Sequence, residues 1–318
     1  MGGSLDWAPT GVIGSGRAQV ILVYGRLDDP PLASTVEALE KEGAQYVLLD
    51  QTVLDREELC IEVGPTGVHG SLIAAGQELL LDNVQSVYTR PLELPLGSFD
   101  RTRAAGARLL HEQLIEWFDV AAALVINRPR AMVANGSKPL QIQLIGEAGF
   151  LVPQTLVTSN ESEARDFLRQ HGRVVYKSSS GVRSIVQELD NRSMARLQLL
   201  TALPVQFQEF VPGVDIRVHV VGDRCFAAEI VSPSIDYRYA GRDGGDATLT
   251  AAELTPEVAA HCVALSQMME LPLSGIDLRR RPDGAYVCFE VNPMPAYTYF
   301  EAHTGLPIGQ ALAKLLMG

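Results

Sequence analysis

The chain has 318 residues, which is enough for about two domains of ~100–200 residues each. Its composition, 47% hydrophobic and 20% charged, is that of a globular protein and excludes wholesale disorder and collagen-like repeats. The 26 basic and 38 acidic residues give a net charge of −12, which argues against a nucleic-acid-binding protein.

Four cysteines, Cys60, Cys225, Cys262 and Cys288, lie far apart in the chain and form no Cys-x-x-Cys pair. Their spacing predicts neither a disulfide framework nor a zinc site, so we expect buried thiols. No stretch of about 18 apolar residues predicts a membrane span. Residues 1–16 are rich in Gly and Ser but lack the pattern of a secretion signal, which predicts a disordered leader or a cloning remnant on a cytoplasmic protein.

The first part of the chain alternates strands and helices. Residues 19–24 (QVILVY) form a continuous apolar run, typical of a strand in a covered parallel sheet. A helix over 34–42 and a strand over 46–50 complete a strand–helix–strand pattern, and apolar residues at helical spacing predict a helix over 103–120. Further strands are predicted over 60–63, 71–74 and 121–126. The pattern predicts an α/β domain over residues 17–133.

A second unit begins near Ala134. Ser137 is a candidate N-cap for a helix that ends at Gly149, and Asn160 with Glu163 three residues later is typical of a capping box. Strands are then predicted over 155–157, 173–177, 185–188, 205–211, 216–221, 227–231, 275–280 and 286–292. Two more helices are predicted over 256–269 and 307–316. Residues 134–318 therefore form the second predicted unit.

The strongest chemical signal lies in residues 275–292. Alternation along the strand YVCFEVN predicts a shared face for Tyr286, Cys288, Glu290 and Asn292. If this strand pairs with GIDLR through a two-residue turn at 283–284, Asp277 lies directly opposite Glu290, with the Cβ atoms ~4.5–5.5 Å apart. Two carboxylates that close repel each other unless a cation lies between them. Together with Asn292 they form an all-oxygen ligand set of the kind that Mg²⁺ prefers.

Two alternatives to this metal site remain open. The hairpin can be a solvated one, whose polar face carries the two carboxylates without a metal. A three-residue turn that includes Pro282, with a glycine bulge, would shift the register by one residue and separate Asp277 from Glu290.

A second element combines a lysine with small residues. Lys177 ends an apolar strand and is followed by Ser-Ser-Ser-Gly at 178–181, where hydroxyls and amides can donate to a phosphate and the lysine supplies a charge. A plain hairpin turn has the same pattern. The chain contains no GxxxxGK[ST] loop, and GVIGSG at 11–16 precedes a strand instead of following one, so neither standard nucleotide fingerprint is present.

A third element, QEFVPGVDIR at 208–217, joins two strands at Pro212-Gly213, a natural hinge. Asp215, Arg217 and His219 share one face of the second strand. A carboxylate there can hold ribose hydroxyls, and a guanidinium can bind a phosphate bidentately. For His219 we expect an exposed polar face of the sheet.

In chain order, Lys138, Lys177, QEFVPGVDIR, Asp277 and the EVN ending at Asn292 resemble the ATP-grasp superfamily, above all its RimK-like branch. Within that branch the chain is similar to the microviridin-type (graspetide) peptide ligases through VYTRP at 87–91, INRPRAMVANGSKPLQ at 126–141, YKSSSGVRSIV at 176–186, DYR at 236–238 and EVNPMPAY at 290–297. The resemblance implies an α/β (α+β) protein. An N-terminal α/β pre-ATP-grasp domain would precede a two-lobed ATP-grasp fold, with lobes over 134–206 and 207–318 and a mostly antiparallel sheet in each.

The resemblance also implies roles for individual residues. The ATP phosphates would be held by Lys138, Lys177 and Ser179, the adenine by a hinge of Gln208, Glu209, Phe210 and Val211, and the ribose by Asp215. One or two Mg²⁺ ions, with Mn²⁺ as an alternative, would be held by Asp277, Glu290 and Asn292. The implied catalytic residues are Arg217, at the transferred phosphoryl group, and Arg238, at the phosphates or the substrate carboxylate. Arg183 is a further candidate beside Arg238.

The implied function is that of an ATP-dependent carboxylate ligase, which activates a carboxylate as an acyl phosphate and joins it to an amine or hydroxyl of a peptide. The alternatives are a RimK-like ligase of amino acids or small molecules, a phosphotransferase, and a non-catalytic ATP-binding sensor or scaffold. The expected partners are a peptide or small-molecule substrate and a second copy in a homodimer, without nucleic acid or membrane.

Three further features border the implied site. Residues 232–250 suit a mobile lid over the acyl phosphate, in which Arg238 and Arg242 carry charge inward, or a long surface loop. Residues 294–299 suit an acceptor pocket or an aromatic packing corner. For Arg90 we expect a structural role at a strand end in preference to peptide recognition.

Overall fold

The structure is a computed structural model, which describes residues 19–65, 67–74, 76–100, 102–178, 186–232 and 247–318. The elements of the first part are β1 (Val20–Gly25), α1 (Pro30–Lys41), β2 (Tyr46–Asp50), β3 (Glu58–Gly64), β4 (Gly67–Ala74), β5 (Gln77–Leu80), β6 (Val84–Thr89), α2 (Ala104–Val120) and β7 (Leu124–Ile126). Four of the strands form a parallel sheet in the order β2-β1-β6-β7, and β3, β4 and β5 form an antiparallel sheet. The predicted α/β character of this part is confirmed.

The parallel sheet is covered on both faces, which explains the continuous apolar run of β1. Leu22 and Tyr24 of this strand pack in one cluster with α2, while Ile21 and Val23 pack in another with α1. All six residues of β1 are buried. A strand buried on both faces needs apolar residues at every position, and this need produces the pattern from which the strand was predicted.

The second part begins with short helices and a small sheet. Its elements are α3 (Pro129–Met132), α4 (Lys138–Glu147), β8 (Thr155–Thr158), α5 (Glu161–His171), β9 (Val174–Ser178), β10 (Gln187–Glu188), α6 (Asn191–Met194) and β11 (Val205–Glu209). The strands form an antiparallel sheet in the order β10-β9-β11-β8. Its core includes Ala164, Val174 and Phe207.

The last part contains a larger antiparallel sheet. Its elements are β12 (Val214–Val221), β13 (Arg224–Val231), β14 (Thr248–Ala252), α7 (Pro256–Met268), β15 (Leu273–Arg280), β16 (Tyr286–Asn292), α8 (Thr298–Thr304) and α9 (Ile308–Met317). The strand order is β14-β13-β12-β15-β16. The predicted antiparallel sheets are therefore confirmed, whereas the division into domains at 133/134 and into lobes stays a prediction.

The two ends of the chain share one hydrophobic cluster. Leu312 of α9 and Phe300 of α8 are buried together with Ile21 of β1 and Leu32 of α1. The last two helices therefore fix the large antiparallel sheet against the parallel one. The sequence predicted no helix at α8, and of β6 it predicted only the strand end at Arg90.

Two predicted helix starts are correct in position but differ in their hydrogen bonds. Ser137 is the N-cap residue of α4, yet its side chain makes no capping hydrogen bond. Asn160 caps α5 by accepting a hydrogen bond from the Ser162 amide at 2.9 Å. The reciprocal half of the box is absent, because Glu163 accepts from the Thr158 hydroxyl instead.

The thiols differ in exposure. Cys262 and Cys288 are buried as predicted, while Cys225 is half-buried. Cys60 is exposed, because it lies on the outward face of β3, and its predicted burial was wrong. In the part of the chain that the structure describes, no helix combines the length and apolar character that a membrane crossing requires.

Candidate active site

One cavity is lined by residues of the four-stranded and the five-stranded antiparallel sheets. It brings together eight of the residues singled out from the sequence, namely Lys177, Gln208, Glu209, Phe210, Val211, Asp215, Asp277 and Glu290. The hinge between β11 and β12 forms one wall, and β15 and β16 form another. Lys138 and Arg217 stand directly behind this lining, because each contacts one of its carboxylates.

Asp277 and Glu290 face each other across β15 and β16, as predicted. The predicted turn is nevertheless wrong. Gly284 donates a backbone hydrogen bond to Arg281 at 2.9 Å, which closes a three-residue turn over 282–284. The strands next to this turn therefore pair with the register shifted by one, Leu278 opposite Cys288. A bulge at Phe289 restores the register before Glu290.

The bulge also changes which residues share a face. Cys288 and Val291 both point into the core, on the side of α7, so Cys288 does not share the face of Glu290 as predicted. Phe289 and Glu290, adjacent in sequence, both line the cavity. A bulge places two successive side chains on the same side of a strand, and here it adds an aromatic ring beside the carboxylate.

Each of the two carboxylates contacts a cation. The Lys138 ammonium donates to Glu290 at 2.5 Å, and the Arg217 guanidinium donates to Asp277 at 2.6 Å. Burial alone would raise the pKa of Glu290, but Lys138, Lys177 and Arg217 together hold this pKa below its ordinary value. Glu290 is therefore ionised at neutral pH, as a metal ligand must be.

Arg217 owes its position to Gly275. The two residues lie on adjacent strands, and a Cβ atom at residue 275 would overlap the Arg217 guanidinium. The Arg217 side chain is only 7% exposed. This close approach allows the guanidinium to reach Asp277 while it stays buried beside Phe300.

Three of the hinge side chains contact residues in or next to β8 and β9. Gln208 donates to the Thr155 hydroxyl at 3.0 Å, and Glu209 accepts from the Gln154 amide at 2.9 Å. The Arg173 guanidinium lies 3.6 Å from the centroid of the Phe210 ring. These contacts fix the hinge to the four-stranded antiparallel sheet.

Residues missed from the sequence complete the cavity, namely Val175, Val186, Ile216, Ile230, Leu278, Phe289 and Arg279. Most are apolar and form walls suited to a flat ring. Arg279 donates to Asp215 at 2.7 Å and to the Val211 carbonyl at 2.9 Å. The signal for Arg279 was available, because alternation along β15 places it on the face of Asp277.

The donor set fits Mg²⁺. Two carboxylates from Asp277 and Glu290 and the amide of Asn292 supply oxygen atoms, and Asn292 follows Glu290 by two residues on the same strand. Asn292 does not line the cavity itself; its side-chain oxygen accepts from the Met294 amide at 2.9 Å. Among the described residues there is no cluster of three or more His, Cys, Asp or Glu side chains for a metal. Mg²⁺ commonly binds one or two carboxylates and completes its shell with substrate phosphates and water.

Several sequence predictions receive no answer from the structure. Ser179, Arg183, Arg238 and Arg242 lie outside the described residues, as does most of the predicted lid. The roles given to these residues stay predictions.

The expectation that His219 lies on an exposed polar face of the sheet was wrong. Its side chain is fully buried, and its ring lies 4.9 Å from that of Phe300. At His219 this face of β12 is covered because Phe300 of α8 packs against the ring. Within the described part of the chain neither ring nitrogen has a hydrogen-bond partner.

Arg90 and Tyr297 have structural contacts. Arg90 is 4% exposed, forms an ion pair with Asp29 and donates to the Pro295 carbonyl at 3.2 Å. Tyr297 is fully buried and donates to the Pro31 carbonyl at 2.7 Å. The structural role expected for Arg90 is confirmed. For residues 294–299, the burial of Tyr297 agrees with an aromatic packing corner.

Comparisons with known proteins agree with this geometry. A family model described as the RimK-like ATP-grasp domain matches residues 136–316. A probable alpha-L-glutamate ligase of Pseudoalteromonas translucida is 29% identical over 206 residues, which cover 61% of this chain and 67% of that protein.

Solved structures extend the likeness to most of the chain. ATP-grasp ligase PsnB, complexed with a minimal precursor, Mg and ADP, is 29% identical with a TM-score of 0.74, over 93% of this chain and 97% of that one. Macrocyclase MdnC from Microcystis aeruginosa, bound with precursor peptide MdnA, shares the fold at 21% identity and a TM-score of 0.77, over 94% and 99% of the two chains. The chain belongs to the RimK-like ATP-grasp family and is an ATP-grasp ligase.

Proposed function

We propose that the protein is a peptide ligase, which joins a carboxylate side chain of a peptide to an amine or hydroxyl of the same peptide and so closes a ring. One observation carries the proposal. PsnB, solved with a precursor, aligns over 93% of this chain at 29% identity and a TM-score of 0.74. The likeness to this peptide ligase therefore spans the parallel sheet as well as the second part of the chain.

The cavity supports binding of ATP at its hinge. The apolar walls would hold the adenine against hinge backbone atoms, and Asp215 would accept from ribose hydroxyls. Lys138 and Lys177 would bind the phosphates. Both lie near Glu290, so they can balance the phosphate charge together with that of the carboxylate.

Asp277, Glu290 and Asn292 would hold one or two Mg²⁺ ions. When bound, the metal neutralises charge on the phosphates during phosphoryl transfer. Arg217 donates to Asp277, one of these residues, at 2.6 Å. Its guanidinium would stabilise the charge that develops on the transferred group.

The reaction would proceed in two balanced steps. A substrate carboxylate oxygen attacks the γ-phosphorus of ATP, the bond to ADP breaks, and an acyl phosphate forms. The acceptor nitrogen or oxygen then attacks the acyl carbon, phosphate leaves, and the acceptor's proton passes to solvent. The acyl phosphate must be shielded from water until this attack.

The test measures ADP and phosphate release from ATP and Mg²⁺ with short acidic peptides that contain Lys, Ser or Thr, and with free amino acids. We expect one peptide class to stimulate release and to yield a product lighter by one water per bond. Glu290→Gln should abolish both, whereas Glu257→Gln, an exposed site on α7, should leave both unchanged.

A second candidate is the addition of a free amino acid, which the likeness to the glutamate ligase favours. Stimulation by free glutamate, with a product heavier than the peptide by one residue, would replace the ring-closing proposal with this one. A phosphorylated product would indicate a phosphotransferase. ATP binding without turnover of any acceptor would support the sensor alternative.

A further inference from the structure

Gln141 hydrogen-bonds the backbone of the strand that carries the predicted metal ligands. Its side chain is 1% exposed, and its amide nitrogen donates to the Val291 carbonyl at 2.8 Å. Its amide oxygen accepts from the Val291 amide at 3.2 Å. β16 ends the sheet order of the described strands. The Gln141 amide therefore makes the two backbone hydrogen bonds to Val291 that a neighbouring strand would otherwise make.

Gln141 contacts β16 between the two predicted metal ligands of this strand. Val291 lies between Glu290 and Asn292, so the two hydrogen bonds fix the backbone at the residue that separates the two predicted ligands. Lys138, one turn earlier on α4, pairs with the side chain of Glu290. One face of α4 thus holds both the backbone and a side chain of the same short segment.

We propose that Gln141 is a positioning residue for the magnesium site. It sets the direction of the Glu290 and Asn292 side chains by holding Val291, and it touches neither nucleotide nor metal. The inference rests on the proposed function, in which these two residues bind Mg²⁺. Without Gln141, the Val291 amide and carbonyl lose their buried partners and the strand end can shift.

The test compares the affinity for ADP in the presence of Mg²⁺ and in EDTA, measured by calorimetry. Wild type should bind ADP more tightly with Mg²⁺. Gln141→Met keeps the length of the side chain and removes both hydrogen bonds, so we expect it to lose about tenfold of the affinity for Mg·ADP. Its affinity for ADP in EDTA should stay within about twofold. Gln143→Met, at an exposed site of the same helix, should match wild type in both conditions.

A second variant guards against a folding defect in Gln141→Met. Gln141→Asn stays neutral and keeps the amide group, but it is one carbon shorter and reaches Val291 less well, so its loss of Mg·ADP affinity should be smaller. A folded Gln141→Met protein that keeps the full effect of Mg²⁺, or that loses ADP affinity equally with and without Mg²⁺, would overturn the positioning role. If wild type itself gained nothing from Mg²⁺, the proposed metal site would fail and the inference with it.

Discussion

Arg279 links three parts of the cavity, and its replacement should alter the contacts that the proposed site makes with the ribose of ATP. It contacts Asp215 and the Val211 carbonyl, and it lies over the ring of Phe289 at 5.3 Å from the centroid. If Asp215 holds ribose hydroxyls, Arg279→Met releases that carboxylate. We expect the KM for ATP in the ADP-release assay to rise about tenfold, while the KM for 2′-deoxy-ATP rises less.

Arg280→Met is the control for this prediction. Arg280 is the next residue on β15, but it pairs with Glu229 at 2.7 Å and does not line the cavity. Its replacement should change neither KM. Equal increases in the KM for ATP and the KM for 2′-deoxy-ATP in Arg279→Met would contradict a role of Arg279 through Asp215.

His219 gives the protein a pH-dependent stability. Burial, and to a lesser extent the neighbouring Arg217 charge, lower the pKa of His219 well below its ordinary value, so the folded protein keeps this ring neutral. The unfolded chain takes up a proton there below about pH 6.5, which favours unfolding. Relative to His219→Leu, wild type should therefore lose about 1.4 kcal/mol between pH 7.5 and pH 5.5.

Chemical denaturation at each pH measures the effect. His219→Leu removes the proton uptake, and an apolar group at this site leaves no ring nitrogen without a partner. A stability difference between the two proteins that stays constant across this pH range would contradict the assigned burial of His219.

At the scale of elements, the β15–β16 hairpin shows what alternation can and cannot predict. The pairing of Asp277 with Glu290 was correct, although the two-residue turn used to derive it was not. The three-residue turn and the bulge at Phe289 each shift the register by one, and the two shifts cancel. A bulge has no reliable sequence signal, because it depends on packing against the neighbouring strand.

The same hairpin predicts the effect of a glycine replacement. Gly284 has a φ of +87°, which L-residues rarely adopt, and a Cβ atom there would meet nothing within 4 Å. Gly284→Ala should therefore lower the free energy of unfolding by about 1 kcal/mol through the backbone alone. Gly106, in α2, also has open space around it.

Gly106→Ala is the matched control, because alanine favours a helix. It should raise the free energy of unfolding by about 0.5–1 kcal/mol. Chemical denaturation of the two variants beside wild type measures the sign of each change in the free energy of unfolding. Destabilisation of similar size in both would mean that the turn conformation is not the cause.

At the scale of the whole molecule, side chains near the ends of the parallel sheet hold the loop that follows β16. Asn127 donates to the Pro293 carbonyl and, at 2.7 Å, to the Leu273 carbonyl, while Arg90 donates to the Pro295 carbonyl. Local patterns predicted β1 and the hinge because their signals lie within a few residues. They could not predict Gln141 as a partner of β16, or Asn127 and Arg90 as partners of the loop after it, because each contact joins residues more than a hundred positions apart in the chain.

Arg90 and Asp29 provide the test of this junction. The Arg90 side chain is 5% exposed and that of Asp29 is 12% exposed, so the removal of either leaves a buried charge without its partner. Arg90→Met should lower the free energy of unfolding by about 3–5 kcal/mol. In the double variant with Asp29→Asn the loss should be smaller than the sum of the single losses, with a coupling energy of about 2 kcal/mol.

Arg26 and Asp28 form the control cycle, because their side chains are 28% and 63% exposed and water screens the pair. Their coupling energy should stay below about 1 kcal/mol. Denaturant titration of both cycles gives the comparison. A coupling at Arg90–Asp29 no larger than at Arg26–Asp28 would mean that this ion pair does not fix Arg90 beside the Pro295 carbonyl. A larger coupling, combined with a weaker effect of Mg²⁺ on ADP binding in Arg90→Met, would show that the position of Arg90 also affects the proposed metal ligands of β16.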